Sequence, residues 1–185
     1  YEAIYILFKT GMRISEFCGL TVKDIDFKSR KINIEKQLHK CADGTYVVDM
    51  TKTESGKRIL PMPDDVAECF RAIIARRKTP KTEYLVNGFA GFLCLSRNDK
   101  PLVELHWAIY FNGICKRYNG VSAGQPLKVT PHICRHTYCT NMVRKKTNIK
   151  VLQYLMGHAN ASTTLDVYSH VGFEDAVEEL ACLCE

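Results

Sequence analysis

The spacing of hydrophobic residues changes twice along this chain, and this change constrains the fold more than any other feature. Residues 1–8 place apolar side chains at helical intervals, residues 31–35 alternate apolar and polar side chains as a strand does, and helical spacing returns after Pro63. A chain with this order is predicted to be mixed α/β, mostly α-helical, with a small three-stranded antiparallel sheet near its front.

The first sixty residues are predicted to hold two helices followed by three strands. Gly11 ends the first helix and residues 14–20 form the second, so Arg13 lies at their junction. The predicted strands cover residues 31–35, 46–50 and 57–60. A polar turn over residues 53–56 joins the last two strands. We expect the three strands to form one sheet, with Lys52 at the start of its last turn.

Helices are predicted to dominate the rest of the chain. Pro63 and Pro101 each suit the first turn of a helix, and Thr130, with a proline after it, marks the start of another. Thr147 is predicted to cap a further helix that ends at Gly157. The remaining pattern predicts a loop over residues 119–129, a short helix over 162–168 and an amphipathic tail helix over 173–184.

Composition excludes several classes of protein. The 185 residues suit one ordinary domain, and contents of 46% hydrophobic and 25% charged residues exclude a disordered or collagen-like chain. No run of about 18 apolar residues occurs, so no membrane span is predicted. Nine cysteines without a C-x-x-C pair favour free thiols in a reducing cytoplasm. Because the chain opens at Tyr1 inside an apolar pattern, we expect a fragment that lacks its upstream part.

Charge is distributed unevenly along the chain. The net charge is +6, but residues 101–150 carry eight Lys and Arg against the single acid Glu104. Residues 151–185 carry six acidic residues and no Lys or Arg. This distribution favours a surface that binds a polyanion and a tail that does not touch it. A solvated basic face is an equally good interpretation of the charge alone.

Two basic residues one helical turn apart indicate a candidate anion site. His132 begins a helix, where exposed N–H groups and the helix dipole favour negative charge, and Arg135 adds a planar bidentate donor. For this pair alone, a capping histidine beside a surface arginine is the simpler interpretation. A zinc site is a second alternative, since His132 and His136 are four residues apart, but zinc proteases place Glu where this chain has Ile133.

Four further residues become candidates through their positions. His158 follows a predicted helix end and lies on a turn, and Tyr168 comes ten residues later. Taken singly, Arg13 is an ordinary salt-bridging residue and Lys52 an exposed hairpin lysine. Their order along the chain, rather than any one of them, makes the set informative.

Four motifs in this order resemble the tyrosine recombinase family, and nearly all of the chain takes part. The motifs are GMRISE at 11–16, KTESGKRILP at 52–61, TPHICRHT at 130–137, and LMGH at 155–158 with VYSH at 167–170. They are most similar to those of integrases from conjugative transposons and lambda-like phages. Two departures are mild: Met12 stands where Leu is usual, and Ile133 with Cys134 replaces the common Asp-Leu.

The resemblance implies an active site and the chemistry of each member. It implies two arginines that clamp a DNA phosphate, a histidine that holds the phosphate, a general-acid lysine, and a tyrosine nucleophile that forms a 3′-phosphotyrosine. A second histidine is the candidate proton acceptor. In the order just given, these residues are Arg13, Arg135, His158, Lys52, Tyr168 and His132. Neither a cofactor nor a metal is implied, since the sequence has no P-loop and no carboxylate cluster for Mg²⁺.

The resemblance also implies an architecture and partners. Residues 1–172 would be the catalytic domain, and residues 173–185 a tail helix that packs on its own domain or docks on a neighbouring protomer. Core-binding and arm-binding domains would lie upstream. The implied partners are double-stranded DNA at recombination sites, further protomers in a tetramer, and accessory DNA-bending or excision factors, with no membrane. The implied location is the bacterial cytoplasm, on the nucleoid when bound to DNA.

Three other functions remain open from the residues. A type IB topoisomerase shares the chemistry but rejoins the same strand. A DNA-binding module without catalysis would suit the basic segment 101–150 equally well, although it has no need of Tyr168. A metalloenzyme would bind zinc tightly.

Overall fold

The architecture was obtained as a computed structural model, which describes residues 1–50, 56–122, 124–160 and 162. Its helices are α1 (Glu2–Thr10), α2 (Ile14–Gly19), α3 (Asp64–Arg76), α4 (Glu104–Val121), α5 (Pro131–Arg144) and α6 (Ile149–Met156). Its strands are β1 (Ile25–Asp26), β2 (Lys31–Ile34), β3 (Lys36–Lys40), β4 (Tyr46–Met50) and β5 (Arg58–Pro61). A 3₁₀ turn over Val22–Asp24 precedes β1. The predicted class, mostly helical with a small antiparallel sheet, is confirmed.

The membership of the sheet differs from the prediction. The three-stranded sheet has the order β1-β2-β5, and β4 pairs with β3 in a separate two-stranded sheet. The alternating pattern of β4 predicts that it joins β2 and β5 in one sheet, and this prediction is wrong. The reason is the short link at Glu35, which lets β3 continue directly from β2 and form a local hairpin with β4 (Lys36 opposite Met50).

Several helix boundaries shift by a few residues. Pro63 is the N-cap of α3 rather than its first residue. Helix α4 begins at Glu104, not at Pro101, because the residues before it are extended and Leu102 N donates to Cys94 O (2.9 Å). Asn148 replaces Thr147 as the cap of α6, since its side chain accepts from Lys150 N (2.9 Å).

Two predicted boundaries are confirmed in detail. Thr130 caps α5 by accepting the N–H of Ile133 (3.2 Å), as Ser and Thr do at helix starts. Gly11 ends α1 in the left-handed conformation (φ 63°), and its N–H donates to Leu7 O (3.1 Å). A Cβ at Gly11 would lie 2.3 Å from Tyr138 Cδ1, so α5 packs directly against this turn.

The core lies between the helices and the inner faces of the two sheets. Helix α1 packs against α3 and α5, and α2 packs against β3. Phe17 of α2 meets Trp107 of α4 edge to face, with ring centroids 5.4 Å apart. A second cluster joins α5 to α6 through Cys139, Leu152 and Met156. Helix α6 is therefore buried on the side that faces α5.

The cysteines of the described residues are free thiols, as the sequence predicted. Burial raises the pKa of Cys94 and of Cys134 to about 12, so both remain protonated small apolar groups at neutral pH. Across the described ranges, no helix is long and apolar enough to cross a membrane.

Candidate active site at the end of helix α6

Three arginines from different parts of the chain converge on the last carbonyls of α6. The final carbonyls of a helix have no partner within it, and they form the negative end of its dipole. Here, consecutive carbonyls each accept one arginine N–H. The bonds are Arg58 Nε to Leu155 O (2.9 Å), Arg135 Nη2 to Met156 O (2.7 Å) and Arg13 Nη2 to Gly157 O (3.1 Å).

The turn at Gly11 places Arg13 at this end of α6. Arg13 is the N-cap of α2, and its backbone N–H donates to the side chain of Glu16 (2.7 Å). Its guanidinium also donates to Glu16 Oε1 (2.9 Å). Across the site, Arg135 Nη1 donates to Gly11 O (2.7 Å). The backbone of one motif therefore holds the guanidinium of another, and the two predicted clamp residues lie together.

Glu16 is the negative centre of the cluster and is fully buried. Arg58 donates to both of its carboxylate oxygens (2.9 and 2.8 Å), in addition to the bonds from Arg13. Burial alone would raise the pKa of the Glu16 carboxyl, but the hydrogen bonds and charge of Arg58 hold that pKa below its ordinary value. The carboxylate is therefore ionised at neutral pH.

Positive charge exceeds negative charge at this site, which favours binding of an anion. Arg135 is 8% exposed, and burial, followed by the charge of Arg13, lowers its pKa to about 10. It remains protonated at neutral pH. Among the described residues, the cluster thus contains three guanidinium groups and one carboxylate, which binds Arg13 and Arg58, and a bound phosphate would supply the negative charge that the cluster lacks.

His158 follows the left-handed residue Gly157 (φ 60°), which ends α6 as predicted. Burial, followed by the charges of Arg135, Arg13 and Arg58, lowers the pKa of the His158 imidazole to about 4. At neutral pH the ring is therefore uncharged, with one N–H donor and one acceptor nitrogen.

The other predicted site residues have different standings. His132 lies exposed in the first turn of α5, one turn before Arg135. Lys52 lies between β4 and β5, among residues 51–55, which are outside the described residues. Tyr168, the helix predicted over residues 162–168 and the tail helix are also outside them, apart from Ser162.

Sequence reasoning missed Glu16 and Arg58. A signal for Arg58 was present, because in strand β5 it shares the inward face with buried Leu60, two residues further on. A charged residue at an inward position predicts a buried partner of opposite charge. A second missed contact joins the same strand to α6: Tyr154 Oη accepts from Ile59 N and donates to Ile59 O, both at 3.0 Å.

Comparison with known proteins gives a consistent set of relatives. The profile of the Phage integrase family matches residues 1–175. The transposase from transposon Tn916 of Enterococcus faecalis is 41% identical over 180 residues, which are 97% of this chain and 44% of that protein. A tyrosine recombinase of Thermosipho africanus is 32% identical over 186 residues, covering 96% of this chain and 53% of that protein. The chain thus spans about half the length of these relatives.

Solved structures agree with the sequence matches. The Tn1549 transposon integrase in complex with circular intermediate DNA superposes with a TM-score of 0.92 at 40% identity, over 99% of this chain and 59% of that one. The XerA recombinase has a TM-score of 0.65 at 23% identity, over 98% of this chain and 56% of that one, and shares the fold.

Replacing Gly157 by alanine should destabilise the protein by roughly 1–3 kcal/mol. The residue is left-handed, and an added Cβ would lie 2.7 Å from Nη1 of Arg58, which buried partners prevent from moving aside. Urea unfolding measures the change. Gly113→Ala, in α4 with no heavy atom within 4 Å of its added Cβ, is the control and should stabilise by about 0.5–1 kcal/mol. Equal effects of the two substitutions would contradict the close packing at Gly157.

The His158 ring should titrate near pH 4 in the folded protein, far below its ordinary value of 6.5. The unfolded chain therefore takes up a proton that the folded one does not, and the free energy of unfolding should fall as pH drops from about 6.5 towards 4. NMR of the His158 Cε1–H measures the midpoint, with the urea-unfolded chain as the control. A folded-state midpoint near 6.5 would show that the arginines do not surround this ring.

Proposed function

This chain belongs to the phage integrase family, and on that basis we propose that it is the catalytic part of a site-specific DNA recombinase that integrates and excises a mobile element. Family membership confirms the resemblance found in the four motifs. In the proposed reaction, the protein cleaves one DNA strand through a 3′-phosphotyrosine intermediate and rejoins it to another strand.

The convergence of Arg13 and Arg135 at the end of α6 carries this proposal. A phosphodiester has one negative charge, and attack by a nucleophile adds a second in the pentacoordinate transition state. Each guanidinium has five N–H donors. Arg13 uses two of these to bind Glu16 and Gly157 O, and Arg135 uses two to bind backbone carbonyls, which leaves others to bind the non-bridging oxygens. Losing one such donor typically slows a reaction by about 10²–10³.

Tyr168 is the proposed nucleophile. A phenol has a reference pKa near 10, so only roughly one molecule in a thousand is ionised at neutral pH. Attack therefore needs a proton acceptor, and we assign that role to His132, which lies exposed one helical turn before Arg135. Lys52 is assigned as the general acid that protonates the departing 5′ oxygen.

His158 is assigned to hydrogen-bond the phosphate. Because its imidazole is neutral, it binds the phosphate as a donor without adding another positive charge beside Arg13 and Arg135. The phosphotyrosine bond conserves the energy of the broken phosphodiester, so a 5′-OH can reverse the step without ATP. The arginines supply the charge that a metal ion supplies in other phosphoryl transfers.

The proposed substrate is double-stranded DNA. The Tn1549 integrase, which superposes on 99% of this chain, was solved in complex with circular intermediate DNA. We extend the proposal to a tetramer of protomers on two recombination sites, to accessory DNA-bending or excision factors, and to a cytoplasmic location on the bacterial nucleoid.

The proposed domain organisation is a catalytic domain over residues 1–172 and a tail over residues 173–185. The tail's alternation of apolar and acidic residues suits a protein surface better than DNA. We propose that it docks on a neighbouring protomer. Upstream DNA-binding domains would complete a clamp around the duplex.

Tyr168→Phe should abolish covalent attachment to DNA while leaving DNA retention unchanged, because the hydroxyl is the nucleophile but carries little of the binding charge. The substrate is a pool of nicked duplexes with a randomised core, in which cleavage releases a short 5′-OH fragment and traps the adduct. Labelled DNA that stays with the protein in SDS measures the adduct. Tyr118→Phe, at an exposed tyrosine in α4, is the matched control.

Adducts formed by Tyr168→Phe at the wild-type level would remove this residue from the mechanism. Wild-type protein that retains DNA without forming adducts would favour the DNA-binding module. Intact duplexes that carry the sequences recovered from the adducts then distinguish the two remaining enzymes. A recombinase joins the cleaved strand to a second duplex, whereas a topoisomerase only reseals it.

A further inference from the structure

Arg58 is the most deeply buried arginine at the site, and no step of the proposed reaction uses it. Its side chain is 0% exposed. The guanidinium donates to both oxygens of Glu16, to Leu155 O and, at 3.4 Å, to Gly56 O. With its donors turned to these buried acceptors, Arg58 does not reach a ligand at the surface.

Two of the groups that Arg58 binds, Glu16 and Leu155 O, adjoin the residues that are proposed to bind the phosphate. Glu16 receives the backbone and guanidinium bonds of Arg13. Leu155 O precedes the two carbonyls that anchor Arg135 and Arg13. The guanidinium of Arg58 therefore lies beneath the pair that is proposed to clamp the phosphate, and it fixes both the carboxylate and the helix end on which they rest.

Arg58 also supports the turn that leads to His158. A Cβ at Gly157 would lie within 2.7–3.2 Å of three guanidinium atoms of Arg58, so the turn rests directly on this side chain. In addition, Arg58 is the first residue of β5, only a few residues after the segment 51–55 that contains Lys52. One side chain thus connects three motifs that lie far apart in the sequence.

We infer that Arg58 is a positioning residue for strand cleavage, which sets the spacing of Arg13, Arg135 and His158 by tying Glu16 to the end of α6. The inference rests on the proposed function, because it concerns the geometry of that same site. This role needs the planar guanidinium of arginine, because one such group binds a carboxylate and a carbonyl at the same time. The ammonium group of lysine is a single point charge and cannot bind both in this geometry.

The competing explanation is that Arg58 only stabilises the fold, as any buried arginine paired with a carboxylate does. Removing one partner of such a pair is strongly destabilising wherever it lies. Loss of stability therefore does not distinguish the two explanations. The rate of cleavage at full occupancy of DNA does, because a misplacement of about 1 Å can cost roughly 100-fold in rate.

The chain contains a matched arginine away from the site. The side chain of Arg77 is also largely buried, at 8% exposed. Its Nε donates to Phe92 O (2.8 Å) and its Nη2 donates to both oxygens of Glu83 (2.7 and 2.8 Å). It thus has the same partners as Arg58, a carboxylate and a backbone carbonyl, without any contact to α6 among the hydrogen bonds of the described residues.

The test compares Arg58→Lys with Arg77→Lys in the 185-residue chain. Both variants are assayed on the adduct-forming duplexes recovered from the randomised pool, at a temperature where their circular dichroism equals that of the wild type. Single-turnover adduct formation is measured across DNA concentrations, which separates the maximal rate from the half-saturating concentration. We expect the maximal rate to fall roughly 100-fold for Arg58→Lys and to stay within about threefold of wild type for Arg77→Lys, with half-saturation unchanged in both.

Equal maximal rates of the two lysine variants would overturn the inference while leaving the proposed function intact. Absence of adducts with the wild-type chain would instead refute the proposed function and the inference together. If Arg58→Lys does not fold, the double variant Glu16→Met with Arg58→Met removes both buried charges and keeps apolar volume. A double variant that folds and cleaves at the wild-type rate would show that Glu16 and Arg58 only stabilise the fold.

Discussion

The structure depends on how the unpaired carbonyls at the end of α6 are satisfied. A helix end buried against other elements needs donors from outside the helix, and here three arginines supply them. The arginines come from the α1–α2 junction, from β5 and from α5. The end of α6 needs these donors for its own stability. Because the donors come from three distant segments of the chain, this need also brings the three segments together. The same gathering builds a strongly basic site.

The carboxylate of Glu16 stabilises this arrangement of arginines. Guanidinium groups that share a small volume repel one another, and burial removes water that would otherwise screen them. A fully buried carboxylate that binds Arg13 and Arg58 offsets part of this repulsion. Burial, followed by the part of this repulsion that remains, lowers the pKa values of Arg135 and His158. This excess of positive charge in the unliganded site is the basis of the phosphate binding that we propose.

Local patterns predicted the helices and the helix ends at Thr130 and Gly157, because these depend on neighbouring residues. The family resemblance, rather than any local pattern, predicted that Arg13 and Arg135 lie together. The pairing of β4 could not be predicted in this way. Its alternation suits either sheet, and only the short link between β2 and β3 decides which partner it meets. The contacts of Glu16 with Arg58 also could not be derived from spacing, since they join residues 42 positions apart.

The central claim is that Glu16 and Arg58 form one energetic unit at the base of the site. A double-mutant cycle of Glu16→Gln and Arg58→Gln, read out as the free energy of unfolding in urea, tests it most directly. The account predicts a coupling energy of about 2–3 kcal/mol, because each single variant leaves a buried charge without its partner. Additive effects of the two substitutions, with a coupling energy near zero, would contradict the account.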